Sequence, residues 1–356
     1  MAKKLLTNAQ LADLLAQEGE NHSGTLARAY RRAARSAFLW PETVGEILGR
    51  NGSLIELHGV GPYLAKQLAA WSKKPPSRPG RVPPERRDFL TMADARALLA
   101  SKPDWAKRLK GDLQMHTVWS DGSGTVVEMG EAGRERGYQY ISITDHSKGL
   151  KIAGGIDEIQ LSRQTHEIEK INARFGSETG LTILRSIELN LNPRGEGDMD
   201  PQALNRLDIV LGSFHSALRV KDDQTKRYVA ALRNPCIQIL GHPRGRIYNY
   251  RLGLKADWQR VFAEAAKLDK ALEIDCYPDR QDLNLSLLKI ARQEGVRISL
   301  GTDAHHPWQL EFIDLGLAAA LKAKIPAERI INFMPLAGLK QWVARVRQRA
   351  KRSPKQ

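Results

Sequence analysis

Between residues 111 and 305 the chain repeats one pattern: a short apolar run, a side chain able to ligate a metal, then a helical stretch. The apolar, β-branched composition predicts strands at 112–116, 139–144, 181–188, 207–213, 236–241, 270–275 and 296–301. Parallel strands joined by helices bury both sheet faces, so few architectures accommodate such a chain. Seven strand–helix units predict an α/β fold, a closed parallel barrel of the TIM type one unit short of eight. An open doubly wound sheet is the alternative.

The strand ends carry the chemistry. Gln114 and His116 lie two apart, so on a strand both point to one face, and Asp121 follows across a Ser-Asp-Gly turn. Ile141–Thr144 leads into Asp145 and His146, Leu181–Leu184 to Glu188, and Ile209–Phe214 to His215. Ile237–Gly241 ends at His242, and Val296–Gly301 leads to Asp303 and His305. Five of the nine histidines therefore fall where a barrel enzyme builds its site. Imidazole with carboxylate suits zinc, manganese or iron better than calcium, and so many ligands exceed one tetrahedral ion. Two or three divalent ions are expected, zinc or manganese, with iron a further choice.

The charge is unevenly placed. Residues 1–110 hold 19 basic against 10 acidic residues, and 340–356 hold seven basic and none acidic, so these two ends carry +9 and +7 of the net +15. The middle, 111–339, is close to neutral, with 29 basic and 30 acidic residues. Two basic ends on a neutral body suit a polyanion bound through its backbone. No apolar run reaches bilayer length, and the first residues turn polar too early for a secretory signal. Cys236 and Cys276 are too few for a disulfide framework and read as buried free thiols in a reducing cytoplasm. The expected location is cytoplasmic, with no membrane partner and no obligate protein partner.

Residues 1–72 predict a small helical domain. Arg28, Arg31, Arg32 and Arg35 stand at i, i+3, i+4 and i+7, which puts them on one helix face. Ser53–Leu57, His58-Gly59-Val60-Gly61 and Pro62–Leu68 read as a short helix, a glycine turn and a second helix with proline first. Small glycines let backbone N–H groups approach a phosphate. This motif resembles a helix-hairpin-helix, which implies sequence-independent contact to DNA backbone through Gly59, Val60 and Gly61, with Lys66 beside them. The helical segment looks like the N-terminal domain of bacterial family X DNA polymerases. Where lyase-active relatives have their Schiff-base lysine this chain has Gln67, which leaves the neighbouring Lys66 as the one candidate for a lyase nucleophile. Residues 73–110 form a basic linker rich in proline, followed by a lead-in helix, which leaves no room for a nucleotidyl-transfer domain.

The motifs Asp-Leu-Gln-Met-His, Ile-Thr-Asp-His-Ser, Ile-Glu-Leu-Asn, Ser-Phe-His-Ser, Gly-His-Pro-Arg-Gly-Arg and Gly-Thr-Asp-Ala-His together resemble the PHP (polymerase and histidinol phosphatase) family over 111–339. The likeness is to the PHP domain that ends family X polymerases. It implies a seven-stranded distorted barrel that hydrolyses phosphoesters with up to three ions. One ion would use Gln114, His116, Glu188 and Asp303, a second Glu188, His215 and His242, and a third Asp121, His146 and His305. Many PHP enzymes have histidine where Gln114 stands, which implies a more weakly held first ion here. The implied reaction is attack on phosphorus by a metal-bound water held by Glu188, His215 and His242, with Arg244 gripping phosphate. The expected substrate is a DNA 3′ end, cut by a 3′–5′ exonuclease or an end-processing phosphatase. A small-molecule phosphomonoesterase, or a DNA-binding module with a weakened metal site, are the other readings. The basic tail 340–356 is a further candidate for nucleic-acid contact.

Overall fold

The computed structural model describes residues 6–76, 82–178 and 180–352, so part of the proline-rich linker and the last four residues of the basic tail lie outside it. Two parallel sheets organise the middle of the chain. Strands β1 (Gly111–Met115), β2 (Tyr140–Ile143) and β3 (Thr182–Arg185) form the first. Strands β4 (Glu188–Asn190), β5 (Leu211–Ser213), β6 (Ile239–Leu240), β7 (Ala271–Asp275) and β8 (Arg297–Gly301) form the second, in sequence order. The two sheets also touch at isolated bridges, Met115 with Ala304 and His146 with Glu188.

Eight strand segments in two sheets thus stand where seven strands were expected. The run 181–188 is interrupted because Arg185 at the end of β3 engages Asp208. Its backbone N–H and Nε donate to Asp208 Oδ2 at 2.9 and 3.0 Å, and Nη2 donates to Oδ1 at 3.0 Å. A side chain takes the ladder partner's place there, and pairing resumes at Glu188 with a different neighbour. Every residue of β1 and β7 is buried, as expected of parallel strands covered on both faces.

At the end of the sheets away from the histidines, the helix Leu336–Arg352 packs Leu339, Trp342, Val343 and Val346 against Leu113, Tyr140, Ile239 and Ala271. Residues 340–350 of the basic run are therefore part of a packed helix, with Arg345 and Arg349 on its exposed side.

The N-terminal segment is built from α1 (Asn8–Asn21), α2 (Gly24–Ser36), α3 (Val44–Gly49) and α4 (Pro62–Lys73), with a 3₁₀ turn at Leu54–Glu56, and two further helices, Met92–Ala100 and Pro103–Ala106, lead into the sheets. Thr7 and Thr43 close capping boxes at the starts of α1 and α3, satisfying N–H groups that helix geometry leaves free. Gly59 has φ of +77°, and a Cβ there would meet Ser36 Oγ at 2.7 Å. Glycine is required at this turn by both conformation and packing.

These helices rest on the sheet body through an aromatic joint. Phe38, Phe89 and Tyr248 have ring centroids 4.7 to 5.6 Å apart, and the Arg246 guanidinium lies 3.7 Å from the Phe89 centroid. Gln281 exchanges two 2.8 Å hydrogen bonds with the Leu90 backbone, and Arg86 pairs with Asp13 and Glu20. Tyr248→Ala should cost about 3–4 kcal/mol of stability, the usual effect of truncating a buried aromatic. Thermal unfolding would measure this, and limited proteolysis should release the N-terminal helices earlier than in the wild type. An unchanged cleavage pattern would mean that the joint does not hold them.

Candidate metal centre

The residues singled out at the strand ends converge on Glu188, which opens β4 and is fully buried. Its Oε1 lies 2.6 Å from His242 Nε2 and 3.1 Å from His215 Nε2. Its Oε2 lies 3.2 Å from His146 Nδ1 and 3.3 Å from His116 Nε2. His116 Nε2 also stands 3.0 Å from Asp303 Oδ1. Asp121 Oδ1 faces His305 Nε2 at 3.4 Å, His146 Nε2 at 3.6 Å and His116 Nδ1 at 3.9 Å. The rings of His146 and His305 stack on either side of His116, with centroids 4.3 and 4.5 Å away.

Three overlapping sets of ligand atoms result: His116, Glu188 and Asp303; His146, Glu188 and His215; and His116, Asp121, His146 and His305. The first and third match the sets implied by the resemblance, apart from Gln114 in the first and an added His116 in the third. In the second, His146 stands where His242 was expected, although His242 remains in contact with Glu188.

The chemistry of the donors fits divalent cations. His116 Nδ1 and His146 Nδ1 are buried and make no well-aligned hydrogen bond, although Asp121 and Glu188 oxygens lie 3.9 and 3.2 Å from them, an arrangement that suits coordination of a cation. His215 Nδ1 faces Asn190 Oδ1 at 3.1 Å and His305 Nδ1 faces the Asp303 carbonyl at 2.7 Å. Both partners only accept, so the proton sits on Nδ1 and the Nε2 lone pair is turned inward. His242 and Asp303 have positive φ values of 23° and 53°, backbone strain of the kind concentrated at functional sites.

Electrostatics reinforce the convergence. Burial alone would push Glu188 up, but the imidazoles gathered around it outweigh it and hold the carboxyl well below its usual range. Burial opposes protonation of His242, yet the Glu188 carboxylate raises its pKa to about 10. For His146 burial wins, and its pKa falls to about 3, which leaves a neutral, ligand-competent ring. Burial would also raise Asp303, but His116 and Arg280 hold it below its ordinary value.

Asp145 has another task. It accepts from Thr117 N at 2.8 Å, Thr117 Oγ1 at 2.7 Å, Ser120 Oγ at 2.6 Å and Gln164 Nε2 at 2.6 Å, pinning the loop that carries Asp121. Gln114 is fully buried with its amide against Glu273; turned so that its NH2 faces the carboxyl, it would donate to the two oxygens at 2.6 and 2.8 Å.

Sequence reasoning passed over Glu273, Asp275 and Arg280. The strand 270–275 was recognised without its acidic end being counted, although the rule applied to the other strands would have found it. Burial raises Glu273 and Asp275 well above the usual carboxylate range. Arg280 Nε approaches Asp303 Oδ2 at 3.7 Å and Asp275 Oδ2 at 4.0 Å.

The proposed nucleic-acid contacts separate into groups. Arg28 and Arg32 line a groove of about 970 Å³ with Ile55, Gly59–Gly61 and Tyr63. Arg31 leans on Gly19 of α1, Arg35 is near enough to Asp279 to influence its carboxyl, and Lys66 is exposed outside the groove. Arg244 donates its backbone N–H to Asp282 at 2.8 Å and holds a buried Nε without a partner. No helix among the described residues is long and apolar enough to cross a membrane.

No family model matches the chain. It is 35% identical over 269 residues to the DNA polymerase/3′-5′ exonuclease PolX of Bacillus subtilis, a match covering 74% of this chain and 46% of that protein. The chain thus spans less than half of that relative. It is 27% identical over 234 residues to a protein of Caldicellulosiruptor saccharolyticus named as a probable phosphatase, covering 63% of this chain and 92% of the relative. Among solved structures, the histidinol phosphate phosphatase of Lactococcus lactis, complexed with zinc, L-histidinol and phosphate, covers 60% of this chain and 93% of its own at 18% identity and a TM-score of 0.43. The sequence relatives support a PHP-type enzyme, a hydrolase acting on phosphoric ester bonds.

Proposed function

Taking the chain as a PHP-type hydrolase of phosphoric esters, we propose that it acts on the 3′ ends of DNA, as an exonuclease or an end-processing phosphoesterase. The ligand sets around Glu188 carry the hydrolytic part of this reading. They would hold two or three divalent ions, zinc or manganese, with Gln114, whose amide lies against Glu273, at the margin of the first. Such ions supply a nucleophile at neutral pH and neutralise charge on the phosphoryl oxygens.

The chain's own groups do the rest. Glu188 and Asp303 keep negative charge at the centre, and the Nδ1–H bonds of His215 and His305 orient their rings. Arg280, partly exposed beside Asp303, would grip phosphoryl oxygens, with Arg244 as a second candidate. The groove lined by Arg28, Arg32 and Tyr63 favours DNA over a small ester. It offers cationic side chains, an exposed ring and a glycine turn on helices docked to the same body.

The test is hydrolysis with manganese of a 5′-labelled oligonucleotide and of histidinol phosphate, using His146→Ala as the control for contaminating nuclease. Stepwise shortening from the 3′ end is expected. Release of phosphate from the small ester alone would favour the phosphatase reading, which the second relative also suits. Activity on neither would leave a binding module.

A further inference from the structure

An open cavity of about 560 Å³ adjoins His215 and is lined by Ala217, Leu218, Arg219, Val220 and Arg251 as well. It is one side chain away from the centre, since His215 Nε2 is 3.1 Å from Glu188. Its two arginines are held in place. Arg219 is exposed, donates to the Tyr250 hydroxyl and lies with its guanidinium 4.9 Å from the centroid of that ring. Arg251 is half-buried and donates its Nε to the Gly245 carbonyl.

Neither arginine has a carboxylate partner within ion-pair distance among the described residues. This distinguishes them from Arg246, which is buried under Phe89 and bonded to the Arg87 carbonyl. No carboxylate lines the cavity; the buried Asp282 accepts at Oδ2 from the backbone N–H groups of Arg244 and Gly245 at 2.8 and 2.7 Å. Burial lowers the pKa of Arg251, with Arg280 and Arg219 adding to it against a smaller opposing pull from Tyr250 and Asp282. Positive charge gathered with no carboxylate in the cavity lining, beside the cluster around Glu188, has a ready counterpart in a second anion.

We propose that Arg219 and Arg251 form a subsite for the phosphodiester next to the one being hydrolysed, so that this cavity selects a polynucleotide strand over a single phosphoester. The proposal rests on the nucleic-acid reading of the centre. It places the strand's path past His215, with Tyr250 at the edge of the cavity available to the adjoining base.

The experiment measures binding of a phosphorothioate-linked tetrathymidylate, which resists hydrolysis, to the full chain by calorimetry at several salt concentrations. The same preparations are assayed on thymidine 5′-p-nitrophenyl phosphate, which has one phosphodiester. Arg219→Gln/Arg251→Gln should weaken the oligonucleotide by about tenfold or more and reduce the salt slope by about 0.7, one phosphate contact. The kcat/KM on the single ester should change by less than about threefold. The exposed single variant Arg219→Gln should shift binding in the same direction with the fold untouched.

Unchanged oligonucleotide affinity overturns the subsite, and so does equal loss on both ligands, which would put the arginines at the reacting phosphate. If thymidine 3′,5′-bisphosphate binds as tightly as the tetranucleotide and is weakened as much, the anion is a terminal phosphate and the polynucleotide assignment falls. If arginine-dependent binding persists while unmodified strands are not cut, the subsite stands and the nuclease reading falls.

Discussion

Glu188→Gln is expected to reduce phosphoester hydrolysis by about a hundredfold or more and to lower the divalent metal recovered with the protein. Glu188 is the one carboxylate among the described residues that reaches four imidazoles, and its two oxygens face different pairs: His215 and His242 on one side, His116 and His146 on the other. An amide keeps the shape but offers one neutral acceptor, so it cannot serve both sides. Loss of groups that only orient metal ligands already costs 10- to 100-fold, and removal of a shared ligand should cost at least as much. Elemental analysis of the purified variant and kcat/KM on a phosphoester check both halves. Full activity at wild-type metal content would remove Glu188 from the centre.

Lys270→Met should make the protein more stable near pH 6 and remove a rise in stability between about pH 7 and pH 10. Lys270 is 3% exposed, and its ammonium donates to the Asn234 carbonyl at 2.5 Å. Burial lowers its pKa to about 7, whereas the unfolded chain titrates near 10.4. Below pH 7 both states are charged and the folded state bears the full desolvation cost. Between the two values the unfolded chain binds the extra proton, so stability rises with pH, and above 10.4 the cost has vanished. The change across this window is on the order of 3–5 kcal/mol. Urea unfolding of wild type and variant at pH 6 and pH 9.5 isolates it, because groups common to both cancel in the difference. Parallel pH dependence in the two proteins would show that Lys270 is not buried as a charge.

Much of the candidate site was legible because metal-competent side chains recur at strand ends, and parallel strands bring their ends together. His116, His146, Glu188, His215, His242, Asp303 and His305 all follow from that rule. The exchange of His146 for His242 in the second ligand set did not follow, because loop conformation decides which ring nitrogen faces which oxygen. Asp145 shows the same limit: beside His146 in sequence, it is spent on Thr117, Ser120 and Gln164. The break between β3 and β4 depends on Asp208 reaching Arg185 from 23 residues away, which no local pattern records.

The four arginines of α2 make the point for surfaces. Helical spacing put them on one face, yet the packing of α1, α4 and the sheet body gives Arg31 and Arg35 different surroundings from Arg28 and Arg32. Likewise Arg246 and Arg251 lie five apart on one loop, one clamped under an aromatic ring and the other open to a cavity.

The amino-acid sequence by itself determined the parallel α/β body, the helical N-terminal segment, and the histidines and carboxylates that would meet, because period and spacing are local properties. Only the tertiary structure decided how the helices dock through Phe38, Phe89 and Tyr248, which charges are neutralised and which remain free. Those outcomes depend on burial and on distances between residues far apart in the chain, and both exist only once the chain has packed.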